Sequence, residues 1–388
     1  MNIGKYVFAQ VTSFIDANEF SKCVKKYDGD YKVKHFTCWH QLMCLMFGQL
    51  SNRESLSDLM TCLNTQKSKW YHLGLGIGIS KNNLSNANQK RDWRIFADYA
   101  YILITHARRV CVDNCDFNLD IKGNVYAVDS TTIDLCLEVF WWAKFRKHKG
   151  AIKLHTQLDV KTNIPSFIHI TDGSVHDVNY LDVMEVEANS IYILDRGYVD
   201  FKRLHTIQTQ KGYFVTRLKK NTSYRRIYSE KVDKITGVRC DQTIKLNNYY
   251  AAKDYPEKIR RVKYYDAETC ITFDFVTNHF ELTALEIALL YKQRWQIELF
   301  FKWIKQHLKV KSFWGHSENA VKIQIYTAII TYVTVAILKQ ELKIKHSNYE
   351  ILQILSITLL NKIQVNQLFQ DNNLQIDSHD YHNQLILF

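Results

Sequence analysis

The sequence predicts an α/β protein, in which an all-α N-terminal domain precedes a mixed core that a β-rich insertion divides in two. Three observations lead there. Residues 1 to about 120 carry apolar residues at helical spacing behind good capping residues. From about 121 the pattern changes to short β runs that later alternate with helices. A charged, β-rich stretch then precedes one long segment, Thr283 to about Leu308, with helical periodicity and no Gly or Pro. The expected division is 1–120 for the helical domain, 121–219 for the first part of the core and 220–283 for the insertion. The second part of the core, with the long helix, takes 284–345, and a C-terminal helical tail takes 346–388.

In the N-terminal domain His40 to Gly48 is apolar-rich, and Asn52-Arg-Glu-Ser-Leu-Ser-Asp-Leu-Met reads as a second helix with a polar start. The glycine-rich turn Gly74-Leu-Gly-Ile-Gly-Ile follows. It lacks a preceding strand and the G-x-G-x-x-G spacing, which argues against a dinucleotide site. Ser80 is a good N-cap for Lys81-Asn-Asn-Leu-Ser-Asn-Ala-Asn-Gln-Lys-Arg, whose side chains can touch base edges and phosphates. Such a segment reads as a recognition helix or as a plain solvated helix face, and by itself it leans to the second.

The core opens with three β runs: Asn124 to Ser130, Ala151 to Val160 and Ile164 to Thr171, the last two joined by a turn at Lys161-Thr-Asn. Val178 to Glu187 reads as a helix, Ser190-Ile-Tyr-Ile-Leu-Asp-Arg-Gly as a buried strand ending in a turn, Phe201 to Gln210 as a helix and Gly212 to Leu218 as a strand. Three antiparallel strands followed by alternating helix and strand is the order of a ribonuclease-H-like domain. Thr243 to Leu246, Arg260 to Tyr265 and Cys270 to Val276 supply the β character of the insertion.

Composition narrows the function. Hydrophobic residues make up 46% of the 388, so a sizeable core forms. Lys and Arg number 51 against 39 acids, a net charge of +12 that favours a polyanionic partner. The opening residues lack the pattern of a secretory signal, and the longest apolar run, Ala328 to Leu338, is too short to span a bilayer; a buried helix is expected, with no membrane partner. Nine scattered cysteines fit free thiols in a reducing cytoplasm. Cys38, His40, Cys111 and Cys115 match no strong zinc-ligand spacing.

The long helical segment is the most informative stretch. At about 100° per residue from Tyr291, Arg294, Glu298, Lys302 and Lys305 fall in one arc of about 80°, while Ile297, Phe300, Phe301, Ile304 and Leu308 form an apolar stripe. Glu298 and Lys302 make an ordinary i, i+4 pair, but that leaves unexplained why Asp129 and Asp195 also stand at or near the C-terminal ends of apolar strands. Acids in such places need a cation or solvent. Two strand-end aspartates and a helix glutamate can hold two Mg²⁺ about 4 Å apart, with Mn²⁺ as a substitute. Arg294, Lys302 and Lys305 would then meet phosphates.

Tyr291, Arg294, Glu298 and Lys305, at spacings of three, four and seven residues, resemble the Y-R-E-K signature of bacterial DDE transposases of insertion-sequence family four. Val125-Tyr-Ala-Val-Asp129-Ser-Thr-Thr resembles that family's first-aspartate strand and Ile193-Leu-Asp195-Arg-Gly-Tyr its second. Lys144 to His155, Gly173-Ser-Val-His176-Asp and the leader Gly48-Gln-Leu-Ser-Asn-Arg-Glu-Ser-Leu are similar to further family segments. The resemblance implies a ribonuclease-H-like core and cut-and-paste DNA transposition by strand nicking, a hairpin intermediate and strand transfer. It implies metal ligation by Asp129, Asp195 and Glu298, and DNA contacts by Tyr291, Arg294 and Lys305. Trp295 reads equally as a stacking partner for a flipped base and as a packing residue. The implied partners are double-stranded DNA, as terminal inverted repeats and as target, and a second copy of the chain on paired ends. A bacterial cytoplasmic location on the nucleoid follows. Two other readings stay open: a catalytically silent, domesticated DNA-binding protein, and a related DNA nuclease of the same fold.

Overall fold

The structure, a computed structural model, describes residues 4–111, 117, 119–146, 149–307 and 313–370. Six helices come first: α1 (Val7–Thr12), α2 (Ala17–Lys26), α3 (Cys38–Leu50), α4 (Leu56–Asn64), α5 (Lys81–Lys90) and α6 (Arg94–Val110). Strands β1 (Val125–Leu135), β2 (Lys144–Arg146), β3 (Lys149–Asp159), β4 (Ile164–Asp172) and β5 (Ile191–Leu194) follow, then α7 (Phe201–Thr209) and β6 (Tyr213–Arg217). The insertion supplies β7 (Tyr224–Glu230), β8 (Val238–Leu246), α8 (Tyr249–Asp254), β9 (Ile259–Asp266) and β10 (Ile271–Thr277). Helices α9 (Ala284–Lys292), α10 (Trp295–His307), α11 (Glu318–Glu341) and α12 (Asn348–Thr358) close the described chain.

Local signals set most of these boundaries. Thr37, Ser55, Ser80, Thr283, Ser317 and Ser347 each cap a helix by accepting from a backbone N–H three residues on. The second N-terminal helix starts at Leu56 behind Ser55, later than expected from Asn52, because Asn52 sits at φ 59°, outside the helical basin. The expected helix from Val178 to Glu187 is only a 3₁₀ turn over Asp177–Asp182.

The strands form one ten-stranded sheet in the order β2-β3-β1-β5-β6-β10-β9-β8-β7, with β4 also paired to β3. Among the described residues only β1–β5 and β5–β6 are parallel. The insertion is continuous with the core sheet, since β10 pairs with β6 through Phe275↔Arg217 and Thr277↔Val215.

Alternation along the strands decides the layers. Val125, Ala127, Ile191, Ile193 and Val215 enter one apolar core, and their neighbours Tyr126, Val128, Tyr192, Leu194 and Phe214 a second. Parallel strands buried on both faces need cover on both. The first core joins them to α1–α6 and α9–α12, the second to α7, α8 and the Asp177–Asp182 turn. Helix α11 is buried over Ala320, Val321 and nearly every residue from Ile323 to Leu338, so the run Ala328 to Leu338 is an interior helix. The whole of α11 is long and apolar enough to cross a membrane, but 89% of its most apolar window lies inside the protein.

Candidate active site

The parallel register brings the two aspartates together. Val128 pairs with Leu194, so Asp129 and Asp195 are the next residues on neighbouring strands. Alternation turns both toward the core face that carries α9 and α10. Asp129 stands just past the end of the parallel β1–β5 pairing, but β1 itself continues to Leu135, because beyond Val128 it keeps its antiparallel partner β3 after β5 has ended. Asp195 does end its strand and caps the turn Arg196–Tyr198 through Gly197 N–H. Acids at the carboxyl ends of adjacent parallel strands occupy the place where open α/β sheets bind ligands.

The expected single helix over Thr283–Leu308 is two. Between α9 and α10 the backbone tightens to i→i+3 hydrogen bonds, from Gln293 N–H to Leu290, Arg294 to Tyr291, Gln296 to Gln293 and Ile297 to Arg294. Neither Gly nor Pro signals the break. The apolar stripe Ile297, Phe300, Phe301 and Ile304 is buried as expected, and Leu308 lies outside the described residues. Arg294, at the joint, forks between two acids: Nη1 lies 3.4 Å from Asp129 Oδ2 and Nη2 2.5 Å from Glu298 Oε1. Tyr291 is buried, with 7% of its surface exposed; its ring packs on Phe275 and its hydroxyl lies 3.5 Å from Asp195 Oδ1.

Burial first, and then neighbouring charge and N–H groups, set the titration of these groups. Burial pushes Asp129 up to about 6, and the nearby carboxylates Asp195 and Glu298 add to this, against the Ser130 N–H and Arg294. Burial acts the same way on Asp195, but the Arg196 and Gly197 N–H groups and Arg217 hold it below the usual carboxylate range. Arg217, at the end of β6, donates from Nη2 to Asp195 Oδ1 at 2.8 Å and stands 5.8 Å over the Tyr291 ring. It was missed in the sequence, where a strand-end arginine carries no motif; its pairing with Asp195 arises from the β5–β6 register. Nε of both Arg217 and Arg294 is buried without a hydrogen-bond partner among the described residues.

Of the other expected residues, Trp295 is 50% exposed at the start of α10, so it serves no core. Lys302 is exposed and lines a groove with Leu299, Trp303 and Lys339. Lys305 is half-buried two turns beyond Glu298 on α10. On the other side of Asp129, Ser130 Oγ donates to Asp177 Oδ1 at 2.6 Å and Lys153 Nζ lies 2.9 Å from the same oxygen, fixing β1 against the Asp177 turn. Among the described residues no three His, Cys, Asp or Glu side chains stand in a ready metal cluster, Arg294 lying between Asp129 and Glu298. The donor set still suits a hard divalent cation: three carboxylates supply only oxygen, and their mutual repulsion already favours positive charge among them. Cys38, His40 and Cys111 form no such cluster either, and Cys115 lies outside the described residues.

Residues 120–334, which hold both aspartates, the glutamate and the arginine between them, match the family model of the transposase DDE domain. The chain is a member of the DDE transposase family. A protein of Sinorhizobium fredii named as transposase y4zB is 33% identical over 260 residues, 66% of this chain and 70% of its own. A transposase assigned to insertion sequence element IS4SA of Synechocystis is 28% identical over 288 residues, 71% of this chain and 76% of its own. One assigned to IS5377 of Geobacillus stearothermophilus is 30% identical over 208 residues, 53% and 54% of the two chains. The resemblance read from the Y-R-E-K spacing and the two aspartate strands is thereby borne out, and this DDE transposase belongs with those of insertion sequences. Its residues 3–76 match a separate domain of unknown function.

Proposed function

We propose that this transposase cuts and rejoins DNA at the ends of its element with two Mg²⁺ ions, or Mn²⁺ in their place, held by Asp129, Asp195 and Glu298. The supporting observation is the placement of two acids side by side just past the end of the parallel β1–β5 pairing, with Arg294 bridging the first to Glu298. When bound, such a pair of ions activates the attacking oxygen and stabilises the leaving one. Tyr291 and Arg217 orient Asp195 from beneath. Arg294 exchanges its carboxylate partners for a DNA phosphate, which its planar fork grips through two parallel hydrogen bonds. Lys305 and Lys302 meet further phosphates, and exposed Trp295 offers a face to an unstacked base.

The order β4-β3-β1-β5-β6, antiparallel and then parallel, supports a ribonuclease-H-like core. Cut-and-paste transposition by a homodimer on paired ends, with residues 1–120 contributing to DNA binding, is the reaction this core serves. The test is nicking of a duplex that carries the element's own end. Wild type cuts with Mg²⁺ or Mn²⁺ and stops in EDTA, while D129A, D195A and E298A bind the duplex but leave it whole. Activity in EDTA, or with Zn²⁺ alone, would remove the two-ion chemistry, and a variant that cuts like wild type would remove its residue from the set.

A further inference from the structure

Helix α5 has a face of which the fold uses only Lys81, whose Nζ donates to Ser57 Oγ at 2.6 Å. Its buried side is anchored: Leu84 and Ala87 enter the core, Asn88 Oδ1 accepts from Gln41 Nε2 at 2.7 Å, and Asn319 Nδ2 donates to Asn88 O at 3.0 Å. Arg91, just past its end, is buried and donates to Gln41 Oε1 at 3.0 Å. Ser80 caps the start and Asn83 Nδ2 ties back to Gly78 O at 2.8 Å. The helix is therefore held rigidly from one side.

The opposite side carries Lys81, Asn82, Ser85, Asn86, Gln89 and Lys90, all exposed and spread over an arc of about 180°. Among the described residues Asn82, Ser85, Asn86 and Gln89 make no side-chain hydrogen bond. Asn and Ser are poor helix formers, because their side chains compete for backbone groups in other conformations. A solvated face chosen for helix stability carries Glu, Lys, Gln or Ala instead. This face breaks the local rule without a structural return, which is where function is expected. Its charge has one sign: between Asp58 and Asp92 the chain contains no carboxylate, only Lys67, Lys69, Lys81, Lys90 and Arg91.

We infer that α5 is the helix by which this protein reads base sequence, lying in the major groove of B-form DNA. Side-chain amides of Asn and Gln match the donor–acceptor pair on adenine, and an acid-free face meets no repulsion from phosphates. A ten-residue helix is about 15 Å long, enough to cross a groove about 12 Å wide, with Lys81 and Lys90 reaching the flanking phosphates. The inference rests on the chain's acting on DNA, and it assigns sequence choice to a site apart from the carboxylates.

The experiment selects bound DNA from a pool of random-sequence duplexes with the full chain and with the variant N82A/N86A/Q89A. Because alanine is the better helix former, the variant keeps or raises its thermal midpoint. Wild type is expected to enrich a motif. The variant should lose preference at a contiguous block of base pairs, with about tenfold weaker binding to the wild-type motif for each contact removed. It should keep its salt dependence, since the phosphate contacts are untouched. K81A/K90A should instead weaken binding to all sequences alike. Enrichment of one and the same motif by wild type and the triple variant overturns the inference, as does a wild type that binds DNA but enriches nothing. A wild type that binds no duplex at all would overturn the proposed action on DNA, and this inference with it.

Discussion

Replacing Asp129 by asparagine should stabilise the protein while abolishing cleavage. In the metal-free fold Asp129 titrates near 6 against an ordinary value of 3.8, chiefly through burial. A folded-state value above the unfolded one means that the folded protein binds the proton more tightly. The contribution of this group to stability is therefore fullest below about pH 4 and is lost as pH rises through about 6. The full loss is about 3 kcal/mol, at 1.36 kcal/mol for each unit of that difference. The amide of Asp129→Asn carries no charge to desolvate or to repel Asp195 and Glu298, so by pH 7 the variant should exceed wild type by an amount of that order. The assay is urea unfolding in EDTA at pH 4 and pH 7. The gain should be present at pH 7 and absent at pH 4, and Mg²⁺ should narrow it by stabilising wild type alone. A variant no more stable than wild type at pH 7, or equally favoured at both pH values, would refute the argument that burial of the charged Asp129 carboxylate costs the fold stability.

Other consequences follow from the arginines. Arg294→Ala and Lys305→Ala should each weaken binding of end DNA and lower the salt slope by about one, with Arg294→Lys a partial rescue; titration at several salt concentrations decides, and unchanged slopes would mean that this face does not hold the DNA backbone. Arg260 is buried with Asp241 through bonds of 2.9 and 2.7 Å and also donates to the carbonyls of His279 and Leu282, just before the Thr283 cap of α9. Arg260→Met should cost about 3–5 kcal/mol in chemical unfolding, and Asp241→Leu in the same chain should recover much of it. A single variant within about 1 kcal/mol of wild type would show that the pair does not anchor the insertion.

Much of the site was legible because it rests on short-range rules. Strand runs ending in Asp, and Arg294 placed four residues before Glu298, survive any detail of the fold, and the buried stripe of α10 follows from periodicity alone. What the sequence hid depends on pairing across the chain. Arg217 reaches Asp195 only because β6 lies parallel to β5, and β1 outlasts Asp129 only because β3 remains beside it. The joint at Gln293–Arg294 has no Gly or Pro to mark it. The insertion looked separate because it is charged, yet β10 stitches it into the core sheet at Arg217. Tyr291 looked like part of a polar helix face, and tertiary packing on Phe275 turned it inward.

Whether Asp129 and Asp195 hold the catalytic ions can be measured by exchanging the ligand and the metal together. Cysteine in place of either aspartate offers a softer thiolate that binds Mg²⁺ poorly and accepts Mn²⁺ more readily. Cleavage of end-bearing duplex by D129C and D195C should be lost in Mg²⁺ and regained, in part, in Mn²⁺, with DNA binding unchanged throughout. Cysteine variants that cut as well as wild type in Mg²⁺, or that stay inactive in both ions while still folded and bound to DNA, would contradict ligation of the ions by these two side chains.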